Sequence, residues 1–281
     1  MEGLPERIII AVDISKQMAD LFTKTRTKLQ VIVQALQMFV SLKSTTKTEF
    51  ALCLLDSEGA KWIMDFTSEI GLLKAALNGL KIASMEEQVK VFDMSTLLQL
   101  VQTHFEQPKQ PNLISMYRVL FIYGRSEATD VPIFSMGREA HVELLQHPGF
   151  CFDVVYLHQK PNETNAVRQI FDALGKTDVQ GIQEKCPNFL FARHHKAQKL
   201  MRDFSMLMQH PGLRKPQPKN FDLMQEMLRF TIPTEVEVVP VLPSSSSSSS
   251  SSDVQQVALV VDDVERNDVI SAEVIQAEVV T

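Results

Sequence analysis

Short apolar runs alternate along this chain with longer segments in which apolar residues recur at helical spacing. The first run, RIIIAVDI at residues 7–14, is rich in β-branched residues and has no polar face, which is typical of a strand buried on both sides of a sheet. Two further runs, VLFIY at 119–123 and FDVVYL at 152–157, have the same character. This alternation predicts an α/β fold: a doubly wound, mostly parallel sheet covered by helices on both faces, with 7–14 as its central strand.

The other elements follow from the same periodicities. Helices are predicted over 25–42, 70–82, 92–105, 135–146, 165–174 and 196–209, and short strands over 50–55, 62–66 and 189–192. The strands at 50–55 and 62–66 flank the turn-forming sequence DSEG, and they predict a hairpin that gives the sheet one antiparallel edge strand. The predicted domain covers 7–211, after a short lead at 1–6.

Beyond this predicted domain the composition changes. Residues 212–243 form a proline-containing extension, 244–252 are nine consecutive serines, and 253–281 are rich in valine and acidic residues. We expect the serine run to be a linker and the C-terminal tail to be flexible. The tail has seven acidic residues and one arginine, which accounts for the net charge of −6 and leaves the rest of the chain formally neutral. Because phosphate groups attract a basic face, this balance gives no support for a nucleic-acid partner.

The apolar residues of the C-terminal region predict a binding function. A segment that only improved solubility would not carry so many valines and isoleucines among its acids, so we expect 253–281 to dock on a partner as an added strand or a groove-bound helix. The residues predicted to contact a partner are Met224, Leu228, Phe230, Val269, Ile270, Val274, Ile275 and Val279. Five methionines either form an adaptable docking face or fill the core: Met201, Met206, Met208, Met224 and Met227.

Cysteine usage and hydropathy indicate a compartment. The chain has three cysteines, Cys53, Cys151 and Cys186, and an odd number argues against a disulfide framework. The start of the sequence lacks the pattern of a signal or transit peptide, and no apolar stretch reaches the roughly 18 residues of a membrane span. We therefore expect no membrane partner and a cytoplasmic and nuclear location.

A short motif follows the first predicted strand. The sequence DISKQ at 13–17 resembles the D-x-S-x-S metal motif of von Willebrand factor A domains, and the order of strand, helix and hairpin that follows also resembles that family. The resemblance implies a fold of that type, in which carboxylate and hydroxyl oxygens from three loops hold Mg²⁺. Ser95 or Thr96 could supply the threonine of that ligand set.

The residues at this motif depart from the family pattern. Asp13 and Ser15 match it, but Gln17 replaces the second hydroxyl. The strand at 119–123 ends in Tyr123, and Arg125 follows where the resemblance implies an aspartate. A cation beside the site opposes a metal ion. We predict a degenerate site at Asp13, Ser15, Gln17 and Tyr123 that binds no metal, with Asp13 capping the next turn.

Other chemistries lack their starting residues. The spacing of Cys186, His194 and His195 does not provide the paired short spacings of a structural zinc site, so we predict a solvated histidine pair. No G-x-S-x-G, Walker loop, H-E-x-x-H or G-x-G-x-x-G occurs, and the His-x-His pattern of a metalloprotease is absent. We predict that the chain is not an enzyme and uses no cofactor.

Six blocks of sequence carry a closer resemblance. They are RIIIAVDISKQM at 7–18, EFALCLL at 49–55, KWIMDFTS at 61–68, YRVLFIYGRS at 117–126, FCFDVVYLH at 150–158 and LMQHPGLRKP at 207–216. Together they resemble the family of von Willebrand factor A-like scaffold subunits (MERIT type) of the BRISC deubiquitinase complex and its nuclear, BRCA-one-containing sister complex.

This resemblance implies a non-catalytic scaffold, or adaptor, that holds together a deubiquitinase complex specific for one lysine linkage of polyubiquitin. In the nuclear sister complex it implies a role in the DNA-damage response. The implied direct partner has the fold of a ubiquitin-conjugating-enzyme variant, while MPN-type scaffold and metalloprotease subunits share the assembly and ubiquitin is a further candidate. Two alternatives stay open: a metal-dependent ligand-binding module that uses Asp13 and Ser15, and an enzyme with an unrecognised site.

Overall fold

The computed structural model describes residues 5–44, 47–57, 59–83, 91–105, 115–178 and 187–215. The strands of these residues are β1 (Glu6–Asp13), β2 (Thr48–Leu55), β3 (Ala60–Thr67), β4 (Met116–Tyr123), β5 (Phe150–Leu157) and β6 (Leu190–Arg193). The helices are α1 (Lys28–Lys43), α2 (Ile70–Asn78), α3 (Met94–His104), α4 (Val142–Gln146), α5 (Val167–Gly175) and α6 (Ala197–Leu207). The chain divides into two units, Met1–Pro233 and Thr234–Thr281, and all described residues belong to the first.

The strands form one sheet in the order β3-β2-β1-β4-β5-β6. β1 pairs in parallel with both β2 and β4, and the parallel pairing continues from β4 to β5 and from β5 to β6. β3 pairs antiparallel with β2 at the edge. This is the strand order of the doubly wound Rossmann fold. It confirms the predicted mostly parallel sheet with one antiparallel edge strand and with β1 in its interior.

The apolar strands are buried on both faces because successive side chains point to opposite sides of the sheet. In β1, Ile9 and Ala11 belong to the core layer shared with α3 and α5. Ile8, Ile10 and Val12 belong to the opposite layer, shared with α1, α2 and α6. All five side chains are fully buried. Burying an aliphatic side chain of this size stabilises a fold by about 1.5–3 kcal/mol, so β1 anchors both layers.

Helix α1 begins at Lys28, later than predicted, because Thr27 caps it. The Thr27 hydroxyl accepts a hydrogen bond from the backbone N–H of Gln30 (3.2 Å), and Gln30 Oε1 accepts one from the backbone N–H of Thr27 (3.0 Å). This reciprocal capping box satisfies two N–H groups that a helix start leaves free.

None of the helices in the described ranges is both long and apolar enough to cross a bilayer.

The helix predicted over 135–146 forms only in part. A turn of 3-10 helix at Arg138–His141 leads into the short α4. Gly137 has φ +75°, a left-handed conformation that helical residues do not adopt. Just before it, the Ser135 N–H donates to Asp93 Oδ1 (3.1 Å), and its hydroxyl binds the same carboxylate. The segment before 138 therefore holds the start of α3 instead of extending α4.

Two of the three cysteines lie within the described ranges. Cys53 and Cys151 are buried free thiols, and Cys186 lies outside those ranges. Burial raises the pKa of the Cys53 thiol to about 12, so this side chain stays protonated and acts as a small apolar core residue.

Candidate functional site

The degenerate metal motif lies where the direction of strand addition reverses. The chain places β2 and β3 on one side of β1 and then crosses to β4 on the other side. In open α/β sheets, ligands bind outside the carboxyl ends of the strands at such a switch point. Asp13 is the last residue of β1 and Tyr123 is the last residue of β4. The motif therefore occupies the position at which a ligand site is expected.

Asp13 is fully buried, and both of its carboxylate oxygens accept hydrogen bonds from the protein. Oδ1 accepts from the Ser15 N–H (3.0 Å), and Oδ2 accepts from the Ser15 hydroxyl (3.2 Å) and the Gly124 N–H (3.0 Å). Arg125 donates from Nε to both oxygens (3.2 and 3.3 Å) and from Nη2 to Oδ1 (3.2 Å). Asp13 thus joins the turn after β1 to the loop after β4.

Arg125 provides a fixed cation beside Asp13. The residue is only 3% exposed, and its Nη2 also donates to the carbonyl oxygen of Asp56 (3.0 Å). Its guanidinium carbon lies 5.5 Å from the ring centroid of Phe92 and 5.4 Å from that of Tyr123. Burial lowers the pKa of Arg125, but the Asp13 carboxylate, together with Tyr123 and Asp130, outweighs burial, and the pKa rises above its ordinary value. The guanidinium therefore stays charged and neutralises Asp13.

Gln17 places an amide where the family pattern has a hydroxyl. Its Nε2 donates to Asp130 Oδ2 (2.5 Å), and its Oε1 accepts from the Ser126 N–H (2.7 Å). The Tyr123 hydroxyl donates to the backbone carbonyl oxygen of Asp130 (2.5 Å), and burial raises the pKa of Tyr123 well above its ordinary value. Both ends of the Gln17 amide are therefore used to hold the loop after β4 against the turn after β1.

The hydroxyl groups of Ser95 and Thr96 form hydrogen bonds away from the metal motif. The Thr96 hydroxyl accepts from the Ala60 N–H (3.1 Å) and donates to the Asp93 carbonyl oxygen (2.7 Å). The Ser95 hydroxyl accepts from the Met136 N–H (3.3 Å). These bonds join the start of α3 to the β2–β3 hairpin and to the loop before α4. Neither hydroxyl contacts Asp13, so the structure does not bring the candidate threonine ligands to the motif.

The donor set at the motif does not fit a divalent cation. Such an ion needs several oxygens with free lone pairs, but Asp13 already accepts hydrogen bonds from five donor groups, one of which is the Ser15 hydroxyl. Arg125 adds a positive charge at the same position. Within the described ranges, no group of three His, Cys, Asp or Glu side chains could hold a metal ion. We call Asp13, Gln17, Arg125 and Asp130 the Arg125 clamp, because together they fasten two loops.

Gly124 and Lys28 lie beside the Arg125 clamp. A Cβ at Gly124 would lie 2.1 Å from Met18 Sδ, so any other residue there would displace a buried methionine. The Gly124 carbonyl oxygen accepts from Lys28 Nζ (2.8 Å), which also pairs with Asp20 (3.1 Å). Burial lowers the pKa of Lys28, although the Asp20 carboxylate acts in the opposite direction. Both residues therefore serve the packing of this end of the sheet.

A second buried ionic cluster lies in the amino-terminal half of the strands, and no motif in the sequence predicted it. Arg118 Nε lies 2.6 Å from Asp153 Oδ2, Arg214 Nη1 lies 2.8 Å from Asp153 Oδ1, and Lys43 Nζ lies 2.7 Å from Glu6 Oε1. The signal that could have indicated it is a charge inside an apolar strand: Arg118 in YRVLFIY and Asp153 in FDVVYL. Such charges are rarely buried unless they are paired.

Other predicted site residues are placed as follows. The rings of His194 and His195 lie 4.0 Å apart, while Cys186 is outside the described residues. Met201 and Met208 pack against the core layer beneath α6, and Met206 is 37% exposed. The predicted partner-binding residues also lie outside the described ranges: Met224, Leu228, Phe230, Val269, Ile270, Val274, Ile275 and Val279.

Comparison with known sequences identifies relatives that match most of the chain. Proteins named BRISC and BRCA1-A complex member 1 are similar to it: that of Rattus norvegicus is 28% identical over 238 residues, covering 79% of this chain and 68% of the relative. The Bos taurus protein is 29% identical with the same coverage, and the Homo sapiens protein is 28% identical over 79% of this chain and 69% of its own length. The chain is similar to these proteins over most of its length. No protein-family model matches it.

Solved structures give more distant similarities. The VWA domain of SpRpn10 has a TM-score of 0.49 at 13% identity, covering 76% of this chain and 100% of that chain. BatB from Bacteroides thetaiotaomicron also has a TM-score of 0.49 at 13% identity, covering 73% and 98%. The strand order and antiparallel edge described above confirm the predicted von Willebrand factor A-like fold.

Proposed function

We propose that this chain is a non-catalytic scaffold subunit of an assembly like the BRISC and BRCA1-A complexes. Its homologues are named as members of those complexes, and the similarity spans 79% of this chain. The structural observation that carries the proposal is the Arg125 clamp. The position where doubly wound folds bind ligands is filled here by an internal ion pair. A domain closed at this position acts through its outer surface, as a scaffold does.

The partners proposed for this chain follow from its resemblance to the scaffold subunits of these complexes. The direct partner is a subunit with the fold of a ubiquitin-conjugating-enzyme variant, and MPN-type scaffold and metalloprotease subunits belong to the same assembly. Ubiquitin is a further candidate ligand. Cleavage of polyubiquitin at one lysine linkage lies in the metalloprotease and not in this chain. The chain works in both cytoplasm and nucleus, and its nuclear pool serves the DNA-damage response and DNA repair.

The C-terminal extension and tail supply part of the proposed binding surface. The alternation of acids with valine and isoleucine at 253–281 supports docking through apolar anchors such as Val269, Ile270 and Val274. Central apolar anchors contribute most of the affinity of such interfaces. Replacing Val269 and Ile270 with aspartate should therefore abolish recovery of the partner, whereas the same change at two linker serines, Ser246 and Ser248, should leave it unchanged.

Affinity purification of the full-length chain from its own cells, followed by quantitative mass spectrometry, tests the proposal. The expected result is near-equal recovery of a ubiquitin-variant-fold subunit and a metalloprotease. Recovery of the chain without either subunit would contradict the scaffold role. A chain ending at Ser252 is the matched comparison, because it keeps the domain and removes the tail.

Two measurements on the purified chain test the alternatives. Incubation with polyubiquitin of each lysine linkage should give no cleavage, and cleavage by the chain alone would contradict a non-catalytic role. Calorimetric titration with Mg²⁺ or Mn²⁺ should give no binding heat. A saturable heat that is lost in Asp13→Asn would favour a metal-dependent ligand-binding module instead.

A further inference from the structure

A buried arginine fastens the segment that follows α6 to the sheet. Arg214 Nη1 donates to both carboxylate oxygens of Asp153 (2.8 and 3.0 Å). Its guanidinium carbon lies 4.5 Å from the ring centroid of Phe189, next to β6. Asp153 is fully buried and Arg214 is 7% exposed. A charge-assisted contact of this kind is about twice as strong as a neutral hydrogen bond, so Arg214 is a strong attachment point.

The other hydrogen bonds of this segment are mostly internal, but the Met208 carbonyl oxygen accepts one from Lys43 Nζ of α1 (3.0 Å), and His210 Nε2 lies 3.7 Å from Glu6 Oε1. The Leu213 N–H donates to the His210 carbonyl oxygen (2.9 Å), and the Arg214 N–H donates to that of Pro211 (3.2 Å). Arg214 Nε donates to the Gln209 carbonyl oxygen (3.2 Å). These bonds give the segment a compact turn of its own. Such a turn can separate from the sheet as a unit when Arg214, its bidentate contact to Asp153, is removed.

The cluster beneath the segment is balanced without Arg214. It contains two carboxylates, Glu6 and Asp153, and three cations, Lys43, Arg118 and Arg214. Lys43 pairs with Glu6 (2.7 Å) and Arg118 pairs with Asp153 (2.6 Å), which leaves Arg214 as the additional charge. Burial and then the positive charge of Arg214 lower the pKa of Arg118. Release of Arg214 therefore leaves two neutral pairs and no isolated buried charge.

We propose that residues 208–215 form a latch that Arg214 closes on Asp153, that can open while the domain stays folded, and that fixes where the C-terminal extension leaves the domain. The latch lies against the amino-terminal part of the sheet, where Glu6 begins β1, whereas the Arg125 clamp lies beyond Asp13 at the other end of that strand. His210 Nε2 lies 3.7 Å from Glu6 Oε1, while Asp153, which Arg214 contacts, is in register with Ile10 near the middle of β1.

The latch has a consequence for binding that rests on the proposed scaffold function. A partner held by the extension is kept beside the amino-terminal edge of the sheet, away from the loops of the Arg125 clamp. Arg214 is then a positioning residue: it contacts no partner itself but sets the start of the segment that does. The carboxyl-terminal loops remain available to a different subunit.

Hydrogen exchange of the full-length chain, followed by mass spectrometry, tests the latch without any partner. In Arg214→Met, peptides covering 208–215 should exchange at least ten-fold faster, while peptides from β1, β4 and β5 keep their wild-type rates. The matched control is Lys215→Met, which removes the neighbouring exposed cation and should leave both regions unchanged. Arg214→Lys, which keeps the charge but not the guanidinium, should give an intermediate rate.

Two results would overturn the proposal. Wild-type exchange of 208–215 in Arg214→Met would show that other contacts hold the segment. Faster exchange of β1, β4 and β5 by the same factor, or failure of this variant to fold, would show that Arg214 supports the whole domain and not a separable latch. Because the measurement uses the chain alone, its failure is distinct from failure of the scaffold role, which is tested by co-purification.

Discussion

Replacing Arg125 with methionine should lower the free energy of unfolding of the domain by about 3 kcal/mol. Breaking a buried ion pair by removing one partner costs about 3–5 kcal/mol, because the remaining charge stays buried without its counter-ion. The lower end of that range applies here, since Asp13 keeps three hydrogen bonds: two from Ser15 and one from the Gly124 N–H. Methionine also retains much of the side-chain volume that packs against Phe92.

Urea unfolding followed by tryptophan fluorescence measures this change. Trp62 is the single tryptophan of the chain, and its ring stacks on His104 at a centroid distance of 3.8 Å, a contact that unfolding removes. The matched control is Arg202→Met on the exposed surface of α6, which should change the stability by no more than about 0.5 kcal/mol. The slope of the transition should stay constant between variants if the folded and unfolded states are unchanged.

A double-mutant cycle separates the ion pair from general packing. Combining Arg125→Met with Asp13→Asn removes both charges, so the double variant should be more stable than the sum of the two single losses predicts, by about 1–3 kcal/mol. A loss of unfolding free energy below about 1 kcal/mol in Arg125→Met would refute the reasoning, since a buried carboxylate without its counter-ion destabilises a fold by more than that. Additive losses would refute it as well, because they would mean that Asp13 and Arg125 do not interact.

Three further outcomes follow from the same contacts. Gln17→Ala removes one donor from Asp130, which keeps the Glu127 N–H, and leaves the Ser126 N–H without the Gln17 oxygen, so urea unfolding should show a loss of about 1–3 kcal/mol, and a loss near zero would exclude a fastening role for the amide. Burial raises the pKa of Asp153, but Arg214 and Arg118 outweigh it and hold the pKa below its ordinary value. The contribution of Asp153 to stability is therefore fully present above about pH 4, the pKa of an aspartate in the unfolded chain. It is lost as the pH falls through the lower pKa of Asp153 in the folded domain. Urea midpoints from pH 6 to pH 3 should fall less steeply in Arg214→Met, and parallel profiles would contradict this linkage. Deleting 253–281 should leave the thermal midpoint of the domain nearly unchanged, as calorimetry can check, and a large drop would mean that the tail is part of the fold.

The strand pattern could be predicted because it depends on local sequence. A run such as 7–14 is apolar at every position only if both faces of the strand are covered, and that condition already specifies helices on both sides. The hairpin could be predicted as well, because its turn residues lie directly between its two strands. The partial helix at 135–146 was missed because Gly137 adopts a left-handed conformation and Ser135 binds Asp93, more than forty residues away in the sequence.

The ionic contacts could be predicted only in part. Arg125 follows the strand at 119–123, and its sign alone argues against a metal at Asp13, so the character of this site was readable from the motif. The hydrogen bonds between Arg125 and Asp13 could not be predicted, since the two residues are 112 positions apart in the chain. Arg214 and Asp153 are separated by 61 residues, and nothing in the local sequence distinguishes Arg214 from the exposed Lys215 beside it.

The two buried arginines have a common physical logic. Each comes from a segment outside the regular elements and ends on an aspartate of a central strand: Arg125 on Asp13 of β1 and Arg214 on Asp153 of β5. Buried ion pairs of this kind add little net stability compared with apolar packing, but a wrongly placed loop after β4 would leave Asp13 buried without its counter-ion, whereas Asp153 keeps Arg118 when Arg214 is released. The Arg125 pair therefore selects one arrangement of the loops after β1 and β4, while the Arg214 pair places a segment that can also be released. For the proposed scaffold subunit, a fixed arrangement of these loops is of more use than an open ligand site.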